Sequence, residues 1–417
     1  MSAIECGSMI FADLHLHSHY SRATSKTMDL HGIARGAKTK GLNLMGTGDF
    51  THPRWLTELK QLIKPSAGED GLYTFEGLRW MLQTEISLIY TQDGRGRRVH
   101  HIILAPNFEV VDQINDWLGQ KGRLDYDGRP IFGISSPELV ENMMDISRDI
   151  SIIPAHAWTP WYAIFGSKSG FDSIEECFED QAKHIFAIET GMSSDPAMNW
   201  RISKLDNISL ISNSDSHSPT TWRLGREANA FDLKKLSYQA IIDSIRTRKG
   251  FAFTIETPPA YGKYHFDGHR DCNISFDPTQ SKRANNICPH CNKELTIGVL
   301  NRVEELADRP EGFRPDGAVP FKSLIPLAEL ISLAKGAGVA TQKVQEVYNM
   351  LLTRFGNELS VLLDAPGESL LSVADEKLAN LILRNRIGKI KIEPGYDGVY
   401  GKPLLKEAAS NLTDFVK

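Results

Sequence analysis

Short apolar runs alternate with segments of helical periodicity from residue 10 to about residue 257. Residues 10–13 read as a strand, and residues 30–40 as a helix with Leu30, Ile33, Ala34 and Ala37 on one face and Gly41 as its stop. Further strands are predicted at 42–46, 80–90, 99–105, 150–155, 184–190, 208–213 and 251–255, with helices at 108–118, 137–146, 172–179 and 238–248. Strands alternating with helices predict an α/β fold with a mostly parallel sheet, and repeats in this number allow closure into a barrel. The runs at 80–90 and 99–105 read as a hairpin, so the barrel is expected to be irregular.

Thr257-Pro258-Pro259 marks a boundary. Residues 258–305 are polar and cysteine-bearing with little apolar periodicity, as expected of a small module organised by a metal. Helical patterns return at 324–334, 341–355, 359–363 and 373–385. Three parts are therefore predicted: 1–257, 258–305 and 306–417.

Polar residues cluster where the strands end. In an extended segment alternate side chains share a face, so His15 pairs with His17 in Asp13-Leu14-His15-Leu16-His17-Ser18, and Asp215 with His217 in Ser214-Asp215-Ser216-His217. Asp49, Glu85, His100, His156 and Glu189 also fall at or after strand ends, which converge on one face of such a barrel. Imidazole beside carboxylate suits zinc, manganese or iron, and two or three divalent ions (Zn, Mn or Mg) held there match the logic of phosphoester cleavage. Glu85 stands alone in an apolar run, where an unpaired carboxylate is costly, which favours ligation. His100 and His101 point to opposite faces, so one of them enters the site, and His100 is preferred. Isolated histidines such as His19, His31 and His184 read as ordinary hydrogen-bonded residues.

Charge and cysteine content narrow the picture. With 47 Lys+Arg against 52 Asp+Glu, a net charge of -5 gives no general attraction to polyanions, so any nucleic-acid contact must come from local runs such as Arg95-Gly96-Arg97-Arg98, Lys282-Arg283 and residues 384–391. No apolar run approaches a spanning length, and residues 1–8 do not read as a signal peptide, so a cytoplasmic protein without membrane contact is predicted. Five cysteines are a sparse, odd set that argues against a disulfide framework. His269, Cys272, Cys288 and Cys291 form two knuckle-like pairs suited to one structural zinc, with His265 and His290 as rivals for the fourth position. Cys6 and Cys177 read as ordinary thiols. The aromatics Trp158, Trp161, Tyr162, Phe165 and Phe171 follow His156 closely, either as barrel packing or as a surface on which an extruded base stacks.

Taken in order, Asp13 to Ser18, Glu85, the His100 strand, Pro154 to Trp158 and Ser212 to Ser218 resemble the motifs of the polymerase-and-histidinol-phosphatase (PHP) phosphoesterases, over about the first 255 residues. That resemblance implies a distorted (β/α)7 barrel with a trinuclear metal centre held by His15, His17, Glu85, His100, His156, Asp215 and His217. Where the family shows Thr-Asp-His, this chain has Thr47-Gly48-Asp49, which implies that Asp49 replaces a histidine ligand, with His52 as competitor. Residues 9–405 as a whole resemble the endonuclease Q family, through Glu189-Thr190-Gly191-Met192-Ser193-Ser194-Asp195-Pro196, Leu224-Gly225-Arg226-Glu227, the cysteine module and Glu393-Pro394-Gly395-Tyr396-Asp397-Gly398-Val399-Tyr400-Gly401. This second resemblance implies a metal-dependent DNA repair endonuclease that nicks 5′ of deaminated bases (hypoxanthine, uracil, xanthine) and abasic sites. The ends left would be 3′-hydroxyl and 5′-phosphate. It further implies double- and single-stranded lesion DNA as substrate, base flipping, Arg226 and the aromatics in substrate binding, and replication or repair factors as partners. A phosphatase acting on a small phosphomonoester is the alternative; it accounts for the barrel but not for the residues beyond 257.

Overall fold

The computed structural model describes residues 9–405. Seven strands line the site: Met9–Asp13, Leu44–Gly46, Leu78–Gln92, Arg95–Ala105, Ser151–Pro154, Ala187–Glu189 and Ser209–Ile211. The first three pair in parallel in that order. Asp93 (φ 52) and Gly94 (φ 72) then reverse the chain in the left-handed turn that suits a two-residue hairpin, so Arg95–Ala105 runs antiparallel. Ser151–Pro154 is antiparallel to that strand, while Ala187–Glu189 and Ser209–Ile211 form a separate parallel pair.

The wall closes into a distorted barrel through single hydrogen bonds instead of ladders. Ala157 N donates to Glu189 O at 2.9 Å, His17 N to Ser216 O at 3.1 Å, and Leu14 N to the Asn213 side-chain oxygen at 2.8 Å. Closure through isolated bonds leaves the strands free to splay, and it makes the site-bearing loops part of the wall.

The expected mostly parallel sheet is in fact mixed. The outer edge of Met9–Asp13 takes an unpredicted antiparallel strand, Ala228–Asp232, which pairs antiparallel with Phe251–Glu256, and that strand pairs in parallel with Phe321–Ser323. Ala228–Asp232 escapes a hydropathy reading because buried Asn229 interrupts it; its amide bonds Ser212 O at 2.8 Å and Asn213 Oδ1 at 2.9 Å. Pro53–Leu62 is a further unpredicted helix, burying only Trp55 and Leu59. The predicted helix at 373–385 begins instead at Glu376, where Asp375 caps it by accepting from Leu378 N at 2.9 Å. Cys6 lies outside the described residues. Among the described residues no helix is long and apolar enough to cross a membrane.

Helix Leu30–Lys40 follows its sequence pattern: Asp29 caps it by accepting from Gly32 N at 2.7 Å, and Leu30, Ile33, Ala34 and Ala37 are buried. Its last residue anchors the carboxy-terminal helices. The buried Lys40 ammonium lies 2.8 Å from Glu358 Oε1 and donates to Thr221 O at 2.7 Å, while Glu358 also accepts from Leu327 N at 3.0 Å and from the Tyr348 hydroxyl at 2.7 Å. Gly41 (φ 102) sits where an added Cβ would meet Asn357 Oδ1 at 2.4 Å, so this junction also requires glycine. Breaking a buried pair leaves a stranded charge, so Lys40→Met should destabilise the protein by about 3–5 kcal/mol in urea unfolding. Adding Glu358→Gln should recover most of that loss, because no charge is then left unpaired.

Candidate metal centre

Four electron-pair donors from three segments meet inside the barrel. His17 Nε2 lies 3.1 Å from both Glu85 Oε2 and Asp215 Oδ1, and His15 Nε2 lies 3.5 and 3.7 Å from the same two oxygens. Ligands about 2.1 Å from a tetrahedral cation are separated by about 3.4 Å, so this spacing is that of a coordination shell. A second group shares the same carboxylate. Glu85 Oε1 lies 2.9 Å from His100 Nδ1 and 3.2 Å from His156 Nε2, and those two nitrogens are 3.2 Å apart. Glu85 is thus placed between two groups of donors, one oxygen to each.

The supporting residues explain why the donors face inward. Glu189 accepts from His15 Nδ1 at 3.0 Å, and Asp49 from His17 Nδ1 at 3.0 Å, which leaves both Nε2 atoms as bare donors to the centre. His15 Nε2 is buried without a hydrogen-bond partner. Three residues of the site, Asp49 (φ 44), His156 (φ 30) and Asp215 (φ 47), adopt left-handed backbone, a strain tolerated where function over-determines the conformation. Asp13 staples the rim: its carboxylate accepts from Ser214 N and Gly225 N, each at 3.0 Å, tying the Asp215 loop to the Arg226 loop.

The expectation for Asp49 is corrected. Its oxygens are taken by His17 Nδ1, by Ser18 N and Oγ at 2.6 and 2.7 Å, and by Ser21 Oγ at 2.9 Å, so it orients a donor and does not join the converging atoms. His52, its competitor, is stacked on Tyr20 at 4.3 Å, outside the centre. His217 stands at the rim with Nδ1 2.9 Å from Asp215 O and its ring 4.5 Å from that of His17, outside both converging groups. Between the two adjacent histidines, His100 enters, while His101 turns to Ser136 Oγ at 2.9 Å and burial lowers its pKa to about 3. Arg129, for which the sequence offers no signal, reaches Glu85 Oε2 at 3.0 Å.

Electrostatics demand positive charge here. Burial pulls His15 and His17 down, but the carboxylates of Glu189, Glu85, Asp215 and Asp49 outweigh it and hold both well above the usual imidazole range. Burial likewise raises Asp215, yet His15, His17 and His217 carry it below the usual carboxylate range. The buried, lone-pair-rich donor set therefore fits divalent cations, whose charge takes the place of those protons.

A cavity of about 320 Å³ opens beside the centre, with His100, His156 and Asp215 on one side and Trp161, Tyr162 and Arg226 among its other walls. Three of the five aromatics are core instead: Trp158 is fully buried with its indole N–H on Asn199 Oδ1 at 2.8 Å, it packs on Phe165, and Phe171 lies under the Arg97 guanidinium at 3.9 Å. Arg97, from the first basic run, is accordingly committed to the interior, and Arg386 bonds the carbonyls of Leu362, Val361 and Ala365.

The cysteine module gathers His269, Cys272, Cys288 and Cys291, with Cys291 Sγ 3.8 Å from His269 Nδ1; His265 and His290 are not in the group. Burial opposes ionisation of Cys288, but the backbone N–H groups of Cys291 and His290 aim at its sulfur and lower its pKa, whereas burial and the neighbouring sulfurs push Cys272 up to about 11. Such a thiol cluster fits a cation that replaces its protons.

The MJ0043 C-terminal domain family matches residues 326–389, within the helical region. The Bacillus subtilis protein YqxK is 28% identical over 415 residues, covering 94% of this chain and 98% of that protein. The Methanocaldococcus jannaschii protein MJ0043 is 37% identical over 256 residues, 59% of this chain, and the match spans only 31% of that longer protein. The crystal structure of PfuEndoQ, a lesion-specific endonuclease from Pyrococcus furiosus, aligns with a TM-score of 0.87 and 34% identity over 97% of this chain and 98% of its own. The chain belongs to the endonuclease Q family. An Endonuclease Q bound to a 27-mer duplex with an abasic lesion at its active site aligns equally well, with a TM-score of 0.87 over 97% of this chain and 99% of that one. The chain is accordingly a hydrolase of the endodeoxyribonuclease type.

Removing a carboxylate behind a histidine donor should weaken cation affinity without removing a donor. Asp49→Asn and Glu189→Gln are each expected to lower barrel metal affinity about 10–100-fold by calorimetric titration. Cys288→Ser should abolish cation retention by the module, read as metal content after dialysis, and should expose residues 265–300 to protease.

Proposed function

We propose that this protein nicks DNA 5′ of deaminated bases (hypoxanthine, uracil, xanthine) and abasic sites, leaving 3′-hydroxyl and 5′-phosphate ends. The carrying observation is Glu85, which stands between two groups of donors, two of whose members, His100 and His156, line a cavity with aromatic walls. The abasic duplex seated in a relative 34% identical over its full length supports the same reading. His15, His17, Glu85 and Asp215 would hold one divalent ion and Glu85, His100 and His156 another, from among Zn, Mn and Mg; His217 at the rim is a candidate for a third. Such ions supply charge neutralisation at the phosphoryl group and a nucleophilic water at neutral pH.

The chain's own residues do the rest. Glu189 and Asp49 keep His15 and His17 in the orientation that exposes Nε2. Arg129, anchored on Glu85, has further guanidinium N–H groups to offer a phosphate oxygen of the strand to be cut. Trp161 and Tyr162 give the cavity aromatic faces for a lesion nucleotide turned out of the helix, a step made cheaper by the weak pairing of a damaged or missing base. The zinc module, held by His269, Cys272, Cys288 and Cys291, and the carboxy-terminal helices would grip the duplex on either side.

Duplexes carrying one hypoxanthine, uracil or abasic site, incubated with Mg or Mn, test this directly by mapping strand ends. A single break 5′ of the lesion is expected. His17→Ala and Asp215→Ala should each reduce its rate at least about 10²-fold while leaving the circular dichroism unchanged. Turnover of a small phosphomonoester in preference to any lesion duplex would overturn the reading.

A further inference from the structure

One wall of the same cavity carries positive charge that the metal centre does not use. Its framework is the carboxy-terminal segment, which turns between Ile392–Glu393 and Lys402–Pro403 and lies along residues 259–264. Gly395 N donates to Ala260 O at 2.9 Å, Gly398 N to Lys263 O at 3.0 Å and Gly401 N to Tyr261 O at 3.1 Å. The contact is close enough that a Cβ on Gly395 would come within 2.1 Å of Gly262 O, and one on Gly401 within 2.1 Å of Ala260 O. Tyr400 is thus delivered to the cavity by backbone, not by a free tail.

Around the Tyr400 ring stand Arg223, whose Nη1 lies 3.4 Å from the phenol oxygen, and Lys263, whose Nζ lies 4.7 Å from the ring centroid. Arg226 shares the wall, held by Ser214 O at 3.1 Å with its Nε buried and unpartnered. Among the described residues none of these three cations is paired with a carboxylate; Glu329 behind them is buried and bonded by the Tyr261 hydroxyl. Burial raises the Tyr400 phenol, yet the pull of Arg223, Arg226 and Lys263 prevails and lowers its pKa, which registers a positive field at the wall. In a chain of net charge -5, three unpaired cations around one phenol form a local anion trap. Arg226, Lys263 and Tyr400 line the cavity together with Asp215, His100 and His156, so an anion held there is a close neighbour of the group at the metal centre.

We propose that Arg223, Lys263 and Tyr400, with Arg226, form a subsite for the backbone phosphate adjacent to the one that is cut. The inference rests on the nuclease reading above and adds a residue set to it. A nucleobase is neutral and is better matched by Trp161 and Tyr162, whereas a phosphodiester takes charge-assisted bonds from guanidinium and ammonium and a further one from the Tyr400 hydroxyl. The subsite fixes strand register, placing the scissile phosphate over Glu85 when the neighbouring phosphate is seated.

The test uses the full-length protein and abasic duplexes in which one phosphate at a time, two on each side of the cut, is replaced by a neutral methylphosphonate. For the wild type, one position other than the scissile one should lower kcat/KM about tenfold or more. In Tyr400→Phe, which keeps the ring, and in Arg223→Gln/Lys263→Gln, the penalty at that same position should shrink while those at the other positions stay as they were. Equal penalties in wild type and variants at every position would overturn the subsite and leave the nuclease reading standing. A wild type that cuts no lesion duplex would overturn both.

Discussion

Everything in the barrel is arranged around a local electrostatic conflict: bare imidazole nitrogens and carboxylate oxygens held 3 to 4 Å apart in the dry interior, with Glu85 at their centre. Buried donors of this kind repel one another unless positive charge lies between them. The fold tolerates the conflict because each donor is held from behind. Glu189 and Asp49 grip the far nitrogens of His15 and His17, and the left-handed backbone at His156 and Asp215 turns their side chains inward. Cation binding and the shape of the site are therefore two sides of one constraint.

The same residues close the barrel. Asn213 bonds Leu14 N and Glu189 Oε1, Asn229 bonds Asn213, and Asp13 holds Ser214 and Gly225. In an ordinary barrel a ladder of backbone bonds would close the wall and leave the loops independent of it. Here the closure runs through isolated backbone bonds and polar side chains one step removed from the donors, so the Asp215 loop is itself part of the closing wall. The Arg226 loop shares this anchor, which ties the donor-bearing face to the basic wall of the cavity.

Further out, the carboxy-terminal region is attached at two chemically different places. Lys40 and Glu358 form a buried charge contact with helix Leu30–Lys40, while the glycine-rich hairpin at 392–403 lies along residues 259–264 by backbone contact. Asp397 Oδ2 also accepts from Arg270 N at 2.7 Å, which ties that hairpin to the cysteine module. The module has little core of its own, so this clamp helps to hold it.

Much of this was legible locally. Alternation in Asp13-Leu14-His15-Leu16-His17 places two imidazoles on one face of an extended segment, the Cys-x2-Cys spacing marks its cluster, and the 3.6-residue period of residues 30–40 specifies a helix with Asp29 and Gly41 at its ends. What spacing cannot reveal is which of several strand-end carboxylates reaches a cation and which stands behind a histidine. Asp49 and Glu189 carry the same chemistry as Glu85, and their roles follow from partners as far as 174 residues away. The division of the aromatics is of the same kind, since Trp158 and Trp161 differ by three positions yet one packs in the core and the other lines the cavity. Local sequence determines periodicity and donor type because these depend on neighbours along the chain. Direction and distance between remote side chains depend on how the wall closes, and only the folded barrel sets them.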